Sequence, residues 1–230
     1  MSKNQYSISY NDEAKIFIKK YEELEQSFYS QNATGKKFIS REIRLFYLRY
    51  TVALDLDIDI KTKYSRTKTD EVRNAYVAIF KFLTFWNVFK AGIKIAGNSK
   101  KWCGAFKNVL PTLYKNESIK NMETTVISFC TENKDKLIPI LDRLKETATS
   151  KNVKPKITAI TEKLVSNQNI SATDFIFICS YARNAFYHAA ETARQGTNYS
   201  FVKKLYRLMT ESLALITAVF GAQLFDSNKK

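Results

Sequence analysis

The stretch SATDFIFICSYARNAFYHAAETARQG, residues 171–196, decides how the rest of the chain is read. Phe175, Ile176, Ile178, Cys179, Ala182, Ala185, Phe186, Ala189, Ala190 and Ala193 recur three and four residues apart, the period of one buried helix face. Ser171 can cap the start, with Asp174 three residues on as the short-chain form of a capping box. Gly196 is a stop signal, and Arg194 stands in the last turn, where a cation suits the helix dipole. The spacing therefore predicts one long helix over 171–196, with Arg183 and His188 deep inside it rather than on a loop.

Working outward, the chain has 230 residues with only 6 Gly and 3 Pro, and 45 % of its residues are hydrophobic. Few helix breakers and ample apolar content predict an all-α protein with a true core. Cys103, Cys130 and Cys179 are widely spaced and form no Cys-x-x-Cys pair, so neither a disulfide framework nor a zinc site is expected and a reducing cytoplasm fits. With a single histidine, a His/Cys metal site has almost no material. Lys and Arg number 37 against 22 acidic residues, a net charge of +15, which favours a polyanionic partner. The N-terminal ten residues are polar, with no signal-peptide run, and the apolar run Leu213–Phe225 is too short by itself to span a bilayer, so no membrane association is expected.

Periodicity and caps divide the chain into helices. A first helix opens at Asn11 and runs to about Tyr29, and Ser40 caps a second over Arg41–Leu54. Arg41, Arg44 and Arg49 on that helix read either as a solvated basic face or as RNA contacts. Leu54–Ile60 alternates apolar residues with Asp55, Asp57 and Asp59; lacking the glycine and terminal Glu of a calcium loop, it reads as a short irregular or extended link. Thr69 caps a long apolar helix over Asp70–Ala96, whose Arg73-Asn74-Ala75-Tyr76 resembles the central motif but has Ala78 where a histidine would be needed. Lys100, Lys101, Trp102, Phe106 and Lys107 mix cations with aromatic rings in a predicted loop. There Trp102 either stacks on an unpaired base or plugs the core. Pro111 is expected to start or break an element. Helices over Ser118–Thr131 and Lys134–Thr147 follow, Asn133 capping the second, then a linker-like stretch, a helix over Pro155–Ser166, and the 171–196 helix. Ser200 is expected to cap a last helix, Phe201–Leu224, antiparallel to its predecessor, with Lys203, Lys204 and Arg207 at its basic start. The expected architecture is a single all-helical domain over 1–230, a multi-helix bundle with an antiparallel C-terminal helix pair. The motif region lies at about 155–225, and residues 1–150 form a possible subregion.

Within the central stretch, Asn184 and His188 are four apart and share a helix face. Arg183 is about 140° round the axis from His188 at 100° per residue, so two copies of the helix could pool Arg, Asn and His in one cleft. Arg183-Asn184-Ala185-Phe186-Tyr187-His188, on a late helix of an all-helical chain, resembles the motif of the HEPN superfamily (higher eukaryotes and prokaryotes nucleotide-binding). The likeness covers these six residues and the helical context from Ser171 onward.

The resemblance implies a metal-independent endoribonuclease, a toxin or antiviral defence effector, whose active site forms across a homodimer at the motif helix. It needs no cofactor, leaves 2′,3′-cyclic phosphate ends, and places Arg183, Asn184 and His188 at the reacting phosphate. The chemistry suits those side chains. RNA carries its own nucleophile in the 2′-hydroxyl; an imidazole with a pKa of about 6.5 can move its proton. A guanidinium binds two phosphorane oxygens and never deprotonates. Tyr187 could stack on a base, and Arg194, Lys203, Lys204, Arg207, Lys100, Lys101 and Trp102 are the candidate RNA contacts. The alternatives are a non-catalytic HEPN-like module that binds RNA or protein, and an antitoxin-like or assembly protein whose basic face meets an acidic partner. In either case His188 would be an ordinary hydrogen-bonded core histidine.

Overall fold

The computed structural model describes residues 6–31, 39–58, 70–148, 151–189 and 198–229, and at residues 31 and 185–189 the backbone alone. The described residues are all-helical: α1 Asn11–Gln31, α2 Arg41–Asp55, α3 Asp70–Ala96, α4 Trp102–Leu113, α5 Glu117–Glu132, α6 Lys134–Thr147, α7 Val153–Val165, α8 Ala172–Ala189 and α9 Tyr199–Asn228. The all-α bundle expected from composition is therefore the fold, and Leu54–Ile60 forms no strand among its described residues. There α2 simply runs on to Asp55, and Leu56 turns the chain extended at φ −64°, ψ 111°.

Helix ends follow local chemistry. Ser40 Oγ accepts the Ile43 N–H at 3.3 Å, the expected cap of α2. After α3, Gly97 and Ser99 donate back to Ile93 and Lys94 carbonyls, and Asn98 takes φ 44°, a left-handed turn an Asn tolerates. Gly97 is needed there for a second reason: a Cβ on it would lie 2.3 Å from the Ala105 carbonyl oxygen of α4. Asn167, at φ 55°, closes α7 in the same way.

Three expectations are corrected. Asn198, not Ser200, caps α9, its Oδ1 accepting from Phe201 N at 3.0 Å, so the helix starts earlier. Asn133 makes no side-chain cap to α6; its amide instead donates to the Phe129 carbonyl at 2.9 Å. Pro111 breaks nothing: it sits in the last turn of α4. The Thr69 cap lies outside the described residues.

Two compact units are distinct. The first takes α3 up to Phe82, α5 from Asn121, α6, α7, α8 and α9 up to Met209, with Tyr6 and Ser7. Its core holds Phe129 stacked on Phe201 at 5.8 Å and Phe82 edge-on to Tyr206 at 5.2 Å. The second takes α1, α2, α3 from Leu83, α4, the start of α5 and α9 from Thr210. It closes round an aromatic cluster in which Phe17 lies 4.3 Å from Tyr50, 4.9 Å from Phe225 and 5.6 Å from Phe46. Two long-range polar ties reinforce it: Tyr50 donates to the Ala214 carbonyl at 3.1 Å, and the buried Glu211 carboxylate accepts the Ile8 N–H at 2.9 Å. Aromatic pairs and buried, satisfied polar groups of this kind fix a single packing.

Among the described residues one helix, α9, is long and apolar enough in composition to cross a membrane, and 89 % of its apolar window is buried within the protein. The bundle core thus accounts for its hydropathy.

Candidate functional site

The motif helix is anchored firmly at its start. The Ser171 hydroxyl accepts the Asp174 N–H at 3.1 Å, and the Asp174 carboxylate accepts the Ser171 N–H at 3.1 Å. This is the reciprocal cap expected from sequence. Two residues from other helices complete it: Lys163 pairs with Asp174 at 2.8 Å, and Glu123 of α5 accepts the Ala172 N–H at 2.9 Å. Below the cap, Phe175, Ile176, Ile178, Cys179 and Ala182 are buried as the period required. Burial pushes the Cys130 thiol up to about 12 and the Cys179 thiol well above its usual range, so both are packing groups rather than nucleophiles.

Two turns further on, Arg183 and Asn184 are half-buried neighbours. Arg183 Nη1 donates to Asn184 Oδ1 at 3.0 Å. A guanidinium only donates, so the amide oxygen must face it, and the Asn184 NH2 is left as the group that can donate to an anion. The bond also draws the guanidinium round the helix towards Asn184. The angular gap between Arg183 and the His188 face is thereby narrowed by side-chain reach. Because α8 continues through Ala189, the four-residue step from Asn184 to His188 is one helical turn. The side chains of Tyr187 and His188, and all of Arg194, lie outside the described residues.

The other candidates fall in two places. Lys203, Lys204 and Arg207 are exposed within the first three turns of α9, in the same unit as α8. Lys100, Lys101 and Trp102 belong to the second unit, apart from the motif helix in the division of the chain. Lys100 and Lys101 are exposed, but Trp102 is the first residue of α4 rather than part of a loop. Its ring packs edge-on to Trp86 at 5.3 Å and Phe89 at 6.3 Å. The ring is only half-buried, so these contacts seat one edge of it against the core and leave both roles weighed for it open. Arg73, in the motif-like fragment of α3, is paired with Asp70 at 3.0 Å.

One feature escaped the sequence. Phe177 and Tyr181 stack at 6.3 Å one turn apart, and the Lys156 ammonium of α7 lies 4.3 Å from the Phe177 ring centroid. Residues 177, 181, 184 and 188 follow one another at steps of four, three and four, so this cation–aromatic column leads along α8 to Asn184. The signal was there as an i, i+4 aromatic pair, hidden within a continuous apolar run.

Among the described residues no three His, Cys, Asp or Glu side chains gather into a metal-binding group. No protein-family model, no curated protein and no solved structure matches this chain.

Proposed function

We propose that the protein is a metal-independent endoribonuclease of HEPN type, a toxin or antiviral defence effector acting on RNA as a homodimer through the motif helix. The observation that carries this reading is the Arg183–Asn184 hydrogen bond on a helix that continues through His188. It holds the Arg183 guanidinium against the Asn184 amide, and Asn184 stands one helical turn before the only histidine of a chain bearing a net charge of +15.

In this reading one His188 takes the proton of a ribose 2′-hydroxyl, whose oxygen attacks the adjacent phosphorus. Arg183, steered by Asn184, neutralises the crowded phosphorane. A second His188, supplied by the partner chain, protonates the departing 5′-oxygen as the P–O5′ bond breaks. The products are a 2′,3′-cyclic phosphate and a 5′-hydroxyl. Lys203, Lys204 and Arg207 contribute phosphate attraction. Wild type and His188→Ala, incubated with tRNA and mRNA in EDTA, test the reading. Cleavage by wild type alone, with cyclic phosphate ends, is expected; cleavage by His188→Ala sinks it.

The second reading, a non-catalytic RNA- or protein-binding module, draws on the exposed Lys203, Lys204 and Arg207. Such cations bind a polyanion whether or not Arg183 and His188 react. There, binding survives His188→Ala and Arg183→Ala, and no cleavage is seen with wild type. Capture of an antitoxin-like acidic protein free of nucleic acid instead points to an assembly role.

A further inference from the structure

Helix α2 has two apolar faces. Ile43, Phe46, Tyr50 and Ala53 are buried in the second unit, none more than 6 % exposed. On the opposite side Leu45, Leu48 and Val52 are 37 %, 52 % and 63 % exposed. A single exposed leucine means little, but three aliphatic side chains at steps of three and four form a seam. The seam continues at the same spacing into Arg41 before it and Asp55 after it, both exposed. Arg41–Leu45–Leu48–Val52–Asp55 is thus a stripe with a cation at one end, a carboxylate at the other and hydrocarbon between.

That order is self-complementary when reversed. Lay a second α2 antiparallel across the first with the two Leu48 side chains at the centre. Arg41, seven residues before Leu48, then faces Asp55, seven residues after it, and the pairing repeats by symmetry at the other end. The apolar side chains meet in the middle, and the opposed helix dipoles add to the attraction. A parallel arrangement would set Arg41 against Arg41 and Asp55 against Asp55.

We infer that this face of α2 binds a second copy of the chain, as an antiparallel helix pair with Arg41 opposite Asp55. The contact is independent of the ribonuclease reading and uses none of the residues placed at the motif or on α9; for Arg41 it takes the place of the RNA contact weighed from sequence. Three aliphatic side chains per copy make a small interface, so the pair is expected to be weak and concentration-dependent.

The charge ends give a test that other modes of self-association cannot imitate. Arg41→Asp alone sets two carboxylates against each other in the pair, and Asp55→Arg alone sets two cations. Mixed together, the two variants restore both ion pairs. Neither change should unfold α2, since an acidic residue suits its first turn and a basic one its last; circular dichroism verifies this. Tagged Arg41→Asp is expected to capture untagged Asp55→Arg at least about tenfold better than it captures untagged Arg41→Asp, the scale of a close interfacial charge pair. In sedimentation velocity, Leu48→Glu should weaken wild-type self-association at least about tenfold. Equal capture in the mixed and unmixed samples overturns the proposal. So does self-association unchanged in Leu48→Glu. A wild type that stays monomeric while Leu48→Glu lowers its melting temperature also overturns it, because the face is then covered by the chain itself.

Discussion

Gly92 of α3 and Phe46 of α2 share one space: a Cβ on Gly92 would lie 2.1 Å from Phe46 Cε2 and 2.6 Å from its Cδ2. Phe46 has nowhere to retreat, with Phe220 stacked at 5.7 Å, Phe17 edge-on at 5.6 Å and Phe225 at 6.1 Å. Helix propensity alone would make Gly92→Ala stabilising by about 1 kcal/mol. Overpacking costs about 1 to 3 kcal/mol and outweighs it, so a net loss of up to about 2 kcal/mol is expected in urea unfolding. Phe46→Leu placed in the Gly92→Ala chain should cost less than it does in wild type.

Arg183→Lys separates charge from geometry at the candidate site. Lysine keeps the cation but loses the planar fork that donates to Asn184 and that, in the proposed reading, would also meet a phosphate. On the proposed mechanism kcat falls by about 100-fold or more while RNA affinity changes little. An unchanged kcat would show that the guanidinium serves structure alone.

Lys203, Lys204 and Arg207 are expected to act through phosphate charge. Replacing all three by Gln should make the plot of log affinity against log salt for single-stranded RNA shallower by up to about 2, at roughly 0.7 per contact. Cleavage-site preference should stay as in wild type. Filter binding across a salt series measures the slope.

A pH prediction comes from the far end of α9. Lys229 Nζ lies 2.5 Å from Glu23 Oε2 and 2.7 Å from Asp226 Oδ1, and Lys20 lies 3.2 Å from the same Asp226 oxygen. The hydrogen bond from Lys229 holds the Glu23 carboxyl below its usual value. Burial pushes Asp226 up, but hydrogen bonds from Lys229 and Lys20 more than offset it and leave it lowered. A depressed carboxylate contributes stability above its unfolded pKa and loses it as pH falls through the folded one. Lys229→Met should therefore lower the melting temperature modestly at neutral pH, and the gap should close as pH falls through and below the usual carboxylate range, where both groups take up protons. Lys20, Glu23 and Lys229 are half-buried and Asp226 is exposed, so solvent still reaches the cluster and added salt should also shrink the gap.

Most of the fold was legible in the residues. Asp70–Ala96 and Lys134–Thr147 have the bounds their apolar periods predicted, because that cue is local and repeats along each helix. Where two residues able to cap stand two positions apart, as Asn198 and Ser200 do, locality does not choose, and the start of α9 was misplaced. Trp102 was ambiguous for a different reason: a lone aromatic between lysines looks the same whether it awaits a base or rests on Trp86 and Phe89. At the candidate site the sequence supplied Arg183, Asn184 and their helix. Nothing in the spacing foretold that the two side chains bond to each other, since neighbours on a helix point about 100° apart and only Arg's long stem closes the gap.

The bond from Ile8 to Glu211 joins positions 203 residues apart, and the unit around it gathers α1, α2 and the second half of α9. During synthesis the early helices must wait for α9 to leave the ribosome before their shared core can close. At about 5 to 20 residues per second that is a delay of roughly ten seconds or more. Meanwhile Phe17, Phe46 and Tyr50 stand without their permanent cover, so a nascent chain stalled before α9 is the form of this protein most dependent on chaperones.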